Sequence, residues 1–322
     1  MKNTILKSLL LLLLFNGVLI GGLHADKYAG EITRFGLGVR NTALGNTGLT
    51  DVNSPALAYW NAALLAESVG STSDFELFHS EEFSGLVTYD SFLATWGKKD
   101  RYSLILMRIG IDDIPLTRLP DPDAEPSVDN QPYKYKTVNN SDYLAYFGFY
   151  RKLSSYVIGI TPKVLYRNLA NTNGYGFGAD VSTYLKVTNN ALFALKVRDF
   201  FSTQIFWANG TREMILPSID TEFSYSFPTP IINTTSRIIL GVDLYLEGRI
   251  LSSTNNFGVV STDYHFGLEL PMPEYLTLYL GYDVKDFTSG LTLYLGQFQI
   301  NYGFKHNTEL DNSHRVSIGL KL

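Results

Sequence analysis

The sequence contains no cysteine, which excludes disulfides, thiolate zinc sites, a cysteine nucleophile and a lipidated cysteine anchor. Charged residues make up only 18% of the chain, and 21 Tyr and 20 Phe make it too apolar for a disordered protein. A net charge of -5 leaves no excess of basic residues for binding nucleic acid. Beyond the first 25 residues there is also no run of 18 apolar residues, so no membrane-spanning helix is expected.

The first 25 residues have the pattern of a secretory signal peptide. Lys2 and Lys7 give a basic start, Leu9–Phe15 is continuously apolar, and small residues precede Asp26. The apolar stretch is shorter than the roughly 20 residues that a spanning helix requires. We therefore expect cleavage after Ala25 and export to the bacterial envelope, where an exported chain without cysteine is common.

From about residue 69 to the C-terminus, apolar and polar residues alternate. Between Tyr175 and Val187, for example, the apolar side chains fall on one face, while Asp180 and its polar neighbours fall on the other. A period of two indicates β-strands, and turn-forming residues separate about fourteen such runs, mostly of roughly 9 to 11 residues. The mean hydropathy of +0.00 reflects this interleaving.

Alternation alone does not decide whether the apolar face packs in a soluble core or faces lipid. The mixed polar face, the export signal and the clustering of Tyr and Phe at strand ends favour an antiparallel transmembrane β-barrel of about fourteen strands over a soluble all-β domain. Such a barrel, over residues 69–322, would contact outer-membrane lipid and depend on barrel-assembly machinery. The predicted lumen-lining residues are Asp180, Lys196, Arg198, Asp243, His265, Glu269 and Arg315.

Residues 26–68 lack the alternation and are predicted to form a separate N-terminal plug. Ser54 suits a helix N-cap and Pro55 the first helical position, so a helix is expected over Ala56–Ala66. This helix is apolar nearly all round and should therefore be buried. A barrel of this size has room for it in the lumen, and a helix that covers one barrel end is the alternative.

No arrangement of residues indicates an enzyme, a cofactor or a metal site. His265 and Glu269 share a strand face but would lie roughly 13 Å apart, which is too far for a catalytic hydrogen bond. The proline- and acid-rich segment Ile111–Asn140 matches no calcium-binding spacing and is predicted to be a solvated outer loop. The glycines of Gly174–Gly178 are predicted to face the lumen and make room for the plug.

Several segments resemble the PorV/PorQ family of FadL-like outer-membrane proteins. These are Arg34–Gly48, Asp51, Ala58–Leu65, Gly110–Pro115, Leu216–Pro217, His265–Glu269 and His314–Ser317. In that family a glycine-rich segment leads into a Trp-Asn-Pro-Ala-Gly-Leu helix, whereas this chain has Trp60 and Asn61 but lacks the Pro and Gly. The resemblance implies a plugged outer-membrane barrel over the whole mature chain.

The resemblance also implies two functions. One is a channel that passes hydrophobic small molecules through a plugged lumen and a lateral opening, with Pro217 as a strand interruption that loosens the wall. Its plug or ligand-path residues would be Arg40, Asp51, Trp60 and Asn61. The other is a non-enzymatic component or shuttle of a type IX-like secretion system that binds exported proteins at the loop Ile111–Asn140. A purely structural envelope barrel is a third reading.

Overall fold

The structure is a computed structural model, and it describes residues 30–67, 73–170, 172–249, 252–307 and 310–322. The predicted signal peptide and its cleavage site lie outside these residues. Within them, no helix has the length and apolar character to cross a membrane.

Seventeen strands are present in the described residues. They are β1 Ser73–Glu82, β2 Val87–Trp96, β3 Tyr102–Arg118, β4 Tyr133–Lys152, β5 Val157–Leu169, β6 Thr172–Lys186, β7 Ala191–Arg198, β8 Thr203–Trp207, β9 Arg212–Ile215, β10 Ser218–Thr229, β11 Thr234–Tyr245, β12 Asn255–Asn256, β13 Ser261–Met272, β14 Leu276–Asp283, β15 Asp286–Leu295, β16 Phe298–Lys305 and β17 Ser313–Lys321. All pair antiparallel in one sheet, which closes because β1 pairs with both β2 and β17.

The seventeen strands form a wall of fourteen, as the alternation predicted. β7 pairs with one half of β6 and β8 with the other half, so β7 and β8 act as one wall strand interrupted at residues 199–202. β10 pairs with β7 and β9 with β8, and these two form the next wall strand, interrupted at Leu216 and Pro217. Among the described strands, the two-residue β12 pairs with β13 alone.

The wall has an apolar outer face and a largely polar inner face, which confirms the predicted alternation. On β6, Tyr175 and Phe177 point outward and are 62% and 59% exposed, whereas Asp180 is buried inside. Two groups of outward aromatics lie at different levels of the wall: Trp96, Tyr102 and Phe147 in one, and Tyr143, Tyr166 and Tyr175 in the other. This arrangement is typical of the aromatic girdles of outer-membrane barrels.

The two ends of the barrel differ. The short-turn rim carries the start of β1 and the end of β17, together with brief connections such as residues 296–297. The opposite, long-loop rim carries residues 119–132, 246–249 and 252–260. At this rim, the ends of β3 and β4 pair only with each other over residues 111–118 and 133–139.

This projecting hairpin corrects the prediction for Ile111–Asn140. Most of the segment is not a loop but paired strand, with a bulge between Ile111 and Ile114. Pro115 sits opposite Thr137 in the hairpin, where its missing N–H is tolerated because the strands extend beyond the rest of the wall. Only residues 119–132 form an irregular connection.

Residues 30–67 fill the lumen, which places them as a plug rather than a cap over one end. A Cβ atom on Gly159 of β5 would lie 2.1 Å from the backbone nitrogen of Ala63. A Cβ atom on Gly281 of β14 would lie 2.1 Å from that of Gly45. The plug backbone therefore touches wall strands on well-separated parts of the barrel, and glycine permits both close approaches.

The predicted helix over Ala56–Ala66 is wrong in position and extent. The α-helix of the described residues, α1, spans Val39–Ala43, and a 3-10 helix spans Ala62–Ala66. Asn61 is extended between them (φ -151°, ψ 94°), because its Nδ2 donates to the Leu49 carbonyl (2.8 Å) and its Oδ1 accepts from the Ala63 N–H (3.0 Å). These contacts outweigh helix propensity, although the segment is buried as expected.

The glycines of β6 do not make room for the plug, contrary to the prediction. Side chains from the wall itself occupy the space that they leave. A Cβ atom on Gly174 would meet the Trp207 ring at 2.9 Å, and one on Gly178 would meet the Thr203 hydroxyl at 1.8 Å. These glycines instead allow β8 to pack closely against β6.

Candidate functional site

The lumen has a dry half, where the plug packs against the inner faces of β1 to β5. Apolar side chains of the wall and plug form one continuous buried cluster there. Its wall members include Phe78, Tyr89, Leu93, Ile105, Ile109, Leu144, Tyr146 and Leu165, and its plug members include Leu37, Val39, Ala56, Ala58, Tyr59 and Trp60. Burial of apolar surface in this cluster therefore holds the plug on this side, although Glu76, Glu82 and Lys163 are also buried on the inner faces of β1 and β5.

The other half of the lumen is charged, and its centre is a four-residue ion network between plug and wall. The guanidinium of Arg40 lies 2.7 Å from Asp51 Oδ2 and 2.6 Å from Glu269 Oε1. Arg237 of β11 lies 3.3 Å from Asp51 and 2.9 Å from Glu269. Two plug residues and two wall residues thus neutralise one another, and Arg40 also donates to the Tyr279 hydroxyl (3.0 Å).

Asp51 is fully buried at the centre of this network. Burial raises the pKa of its carboxyl, but Arg40 and Arg237 outweigh that effect and hold the pKa well below its ordinary value. Asn41 Nδ2 and the Asn53 N–H also donate to the carboxylate, both at 3.2 Å. Asp51 is therefore a charged anchor of the plug.

A second anchor is Glu222 on the inner face of β10. Its carboxylate accepts the backbone N–H groups of Gly48 (2.8 Å), Leu49 (3.1 Å) and Thr50 (2.8 Å) and the Thr50 hydroxyl (2.5 Å). Four donors from one plug turn thus converge on one wall side chain, which satisfies a fully buried carboxylate.

A third group of buried charges joins the wall to the Tyr59 region of the plug. Lys163 Nζ lies 2.8 Å from Asp180 and 2.6 Å from Asp199. Lys196 Nζ lies 2.9 Å from Asp180 and donates to the Tyr59 carbonyl. These groups pair with each other, so they position the plug and leave little charge for a ligand.

On the long-loop side of the plug, the lumen contains a cavity of about 200 Å³. Phe35, Tyr59, Trp60 and Tyr245 supply aromatic surface to it, and charged side chains of both signs complete the lining. A separate vestibule of about 480 Å³ lies toward the short-turn side, bordered by Thr50, Val52 and Asn53. The plug therefore divides the lumen into two compartments.

The cavity of about 200 Å³ on the long-loop side is hereafter called the lumen cavity. Beside it, the barrel wall has a gap. β10 and β11 pair from Ser218 and Tyr245 onward, but β9 pairs only with β8, so its other edge has no strand beside it among the described residues. A small cavity fills this side gap between Leu216 and Pro217 on one side and Tyr245 and Leu246 on the other. The lumen cavity and the side gap share the lining residues Glu31, Arg34 and Tyr245.

The side gap is closed by plug residues in this structure. Arg34 lies over the Tyr245 ring at 4.4 Å, and Arg249 lies over the same ring at 4.1 Å. Arg249 also pairs with Glu31, at the start of the plug. A Cβ atom on Gly30 would lie 2.8 Å from Ile215 of β9, so the first described residues of the plug rest directly against the gap.

The predicted lumen-lining residues all lie on the inner face, but they do not line an open, water-filled passage. Each of the seven forms at least one ion pair. The pairs are Asp180 with Lys163 and Lys196, Arg198 with Asp220, Asp243 with His265, Glu269 with Arg40 and Arg237, and Arg315 with Glu82. The polar lumen is thus largely a set of paired charges that hold the plug and wall together.

The four predicted plug residues are not gathered in one site. Arg40 and Asp51 belong to the ion network, and Asn61 bonds to the Leu49 carbonyl. Trp60 borders the lumen cavity, with its ring nitrogen donating to the Leu37 carbonyl (2.8 Å). Pro217 does interrupt a wall strand, and it lies at the side gap.

Sequence reasoning missed several residues of this region. Arg34, Glu222, Arg237, Tyr245 and Arg249 were not singled out. Their register on strands predicts an inward side chain for the wall members, but which plug atom each one meets depends on contacts across 170 or more residues. Within the described residues, no group of three or more His, Asp and Glu side chains is placed to hold a metal ion.

A closed fourteen-strand antiparallel barrel with an apolar outer face and an internal plug has the architecture of outer-membrane channels. Three solved structures share this fold. The toluene transporter TbuX of Ralstonia pickettii aligns with 90% of this chain and 100% of its own (TM-score 0.57, 9% identity). The toluene transporter TodX of Pseudomonas putida aligns with 88% and 96% (0.58, 10%), and the monoaromatic hydrocarbon channel CymD with 90% and 98% (0.56, 8%).

The likeness extends over nearly the whole of each structure, but at this identity it shows the fold alone. The expected FadL-like fold is thereby confirmed, while membership of the PorV/PorQ family stays a prediction. No protein-family model matches the sequence, and no curated protein matches it significantly.

Proposed function

We propose that the protein is an outer-membrane channel that passes small hydrophobic molecules between the outside, the lumen cavity and the side gap. The observation that carries this proposal is the interruption of the wall at Leu216 and Pro217, which lies directly beside the lumen cavity. An unbroken wall would give a hydrophobic molecule no sideways route past a plug that is held on all sides.

The long-loop rim is the outer surface in this proposal, because both barrel termini lie at the opposite rim. A molecule would enter between the loops, contact the aromatic rings of Tyr59, Trp60 and Tyr245, and leave sideways when the contacts at Tyr245 open. The plug would stay in place, held by Glu222 and by the network around Asp51.

The fold likeness supports the same class of cargo. Two of the three similar structures are toluene transporters, and the third is a channel for monoaromatic hydrocarbons. The lumen cavity of about 200 Å³ has a matching size, since a cavity of roughly 150 Å³ lined by apolar side chains binds benzene.

The side gap can be tested with engineered cysteines, because the chain has none of its own. The variant Leu216→Cys with Leu246→Cys places one thiol on each side of the gap. A bis-methanethiosulfonate cross-linker, which forms a disulfide with each thiol and releases methanesulfinate, should block uptake of a labelled aromatic compound into proteoliposomes, and reduction should restore it.

The matched control is Val164→Cys with Phe177→Cys, which are register partners on the outer face of the intact wall between β5 and β6. Cross-linking this pair should leave uptake unchanged. If the pair at the gap can be cross-linked without any loss of uptake, the sideways route is wrong.

The projecting hairpin of β3 and β4 favours the second candidate function, a secretion component that binds exported proteins. Its tip exposes Val128 (85%), and Tyr133 and Tyr135 flank Arg118 at 5.3 and 5.2 Å. Deleting residues 114–138 should abolish binding of exported proteins if this function holds, and should leave small-molecule uptake intact if the channel function holds.

A further inference from the structure

Arg34 differs from the other arginines around the lumen cavity. Its guanidinium lies over the Tyr245 ring and donates one hydrogen bond, to Ser218 Oγ at 2.5 Å. The side chain borders both the lumen cavity and the side gap. Any molecule that passes between these two spaces must therefore move past it.

Each acidic group of the lumen cavity has a basic partner other than Arg34 within ion-pair distance. Five carboxylates border the cavity: Glu31, Glu82, Asp243, Asp263 and Asp283. Each has a basic nitrogen at 3.9 Å or less, supplied by Arg249, Arg315, His265 or Lys305. None of these partners is Arg34.

Arg34 therefore forms no ion pair with the described residues, and Asp220 and Asp243 act on its charge only from a longer distance. No carboxylate oxygen of the described residues lies within 4.0 Å of its guanidinium. A guanidinium stays charged at all ordinary pH values and offers five N–H donors, of which one has a hydrogen-bond partner within the part of the chain that the structure describes. A partly buried arginine in this situation favours an anion that accepts two parallel hydrogen bonds, such as a carboxylate.

The remainder of the cavity sets the size of the group attached to that anion. Its aromatic lining from Phe35, Tyr59, Trp60 and Tyr245 suits a flat apolar ring. With about 200 Å³, the cavity holds one ring and has no room for a long alkyl chain in the closed state.

We propose that the site takes small ring compounds bearing a carboxylate, with the ring in the lumen cavity and the carboxylate on Arg34 at the entrance to the side gap. This inference rests on the proposed channel function and names its substrate class. It separates the chain from TbuX, TodX and CymD, which are transporters or channels for uncharged hydrocarbons.

Benzoate and toluene are the probes that test this assignment, because they share a ring and differ in charge. Calorimetric titration of the full-length barrel in detergent should show benzoate binding more tightly than toluene. Arg34→Gln should weaken benzoate binding by about 10- to 100-fold, as expected for loss of a hydrogen-bonded charge, and leave toluene binding within about 2-fold. Arg118→Gln, on the projecting hairpin, is the control and should change neither.

A second variant keeps Arg34 but supplies a carboxylate from the protein itself, so that the guanidinium is no longer free to bind the carboxylate of a ligand. Ser218→Asp would place a carboxylate beside the guanidinium and should likewise weaken benzoate binding while toluene binding persists. Both variants should show the heat-dependent gel migration of a folded barrel. The proposal is overturned if wild type binds toluene as tightly as benzoate, or if both folded variants bind benzoate like wild type.

The same variants separate this inference from the channel function. Benzoate binding that depends on Arg34, without uptake into proteoliposomes, would support the site and contradict transport. Uptake of toluene and benzoate alike, unaffected by Arg34→Gln, would support transport and contradict the site.

Discussion

The two halves of the lumen hold the same plug by different forces. Against β1 to β5 the plug packs mainly on apolar side chains, which form one continuous cluster. Against β10, β11 and β13 it meets charged side chains, including Glu222, Arg237 and Glu269, through specific hydrogen bonds and ion pairs. A small apolar contact between Leu44 and Ile239 lies beside them. The lumen cavity and the side gap both adjoin the charged half.

We infer from this difference that one half of the lumen seals the barrel and the other half rearranges around a ligand. Apolar packing is non-directional and excludes water, so it seals the lumen without allowing discrete alternative arrangements. Ion pairs and hydrogen bonds are directional and exchange one partner for another, so the charged half is the one able to rearrange around a ligand. This assignment of roles is wrong if the barrel stays sealed without close packing in the dry half. It is also wrong if the charged half contributes nothing to holding the plug.

The largest effect is expected from overfilling the dry half at Gly159. In Gly159→Leu the new Cβ would lie 2.1 Å from the backbone nitrogen of Ala63, so the plug has to move away from β5. A fourteen-strand lumen without a seated plug is wide enough for water and ions. Ion conductance in planar bilayers should therefore rise by about 10-fold or more.

The control for this variant is Val164→Leu, which enlarges an outward-facing side chain on the same strand and should leave conductance at the wild-type level. A Gly159→Leu barrel that folds and remains as closed as wild type would contradict the view that close packing in this half forms the seal.

An intermediate effect is expected from Asp51→Asn in the charged half. The substitution removes the negative charge that Arg40 and Arg237 share and leaves only Glu269 to balance them. Breaking a buried ion pair by removing one partner costs about 3–5 kcal/mol. The amides of residues 39–51 should exchange with solvent faster, and the urea midpoint of unfolding in detergent should fall.

Asp129→Asn, at the exposed tip of the projecting hairpin, is the matched control, because it removes the same charge without touching the plug. Equal exchange rates in the two variants would mean that apolar packing alone holds the plug.

The barrel could be predicted from the sequence because period-two alternation is a local property. The fourteen-strand wall alternates as expected, and the plug segment is buried, as its composition indicated. The interior was harder to predict, because the plug has no regular period. The chain stays extended at Asn61, where a helix was expected, since bonds to Leu49 and Ala63 decide its conformation.

The site was predicted only in part, for a related reason. Alternation shows that Glu222 and Arg237 point inward, but their partners are a plug turn more than 170 residues earlier. Pro217 was recognisable as a strand interruption, because proline lacks the N–H that a ladder needs. That the interruption adjoins a cavity, and that Arg34 lies there, follows only from closure of the barrel around the plug.

The smallest effect is expected at the end of the plug, where Glu67 belongs to neither the apolar cluster nor the buried ion network. Glu67 is paired with Lys186 (2.5 Å) and accepts a hydrogen bond from the Tyr184 hydroxyl (2.6 Å), but the Lys186 side chain is 58% exposed. Solvent screens such a pair, so Glu67→Gln should lower the free energy of unfolding by less than about 1 kcal/mol.

The pH dependence of stability tests independently whether the charge of Glu67 stabilises the fold. Burial raises the pKa of Glu67, but the hydrogen bonds from Lys186 and Tyr184 outweigh it and hold the pKa below its ordinary value. A carboxyl whose pKa is lowered by folding adds stability above its unfolded pKa of about 4.3, and that stability is lost as the pH falls through the folded value. The difference in urea midpoint between wild type and Glu67→Gln should therefore be present at neutral pH and shrink on acidification. A difference that grew toward low pH would show that Glu67 acts through packing and not through its charge.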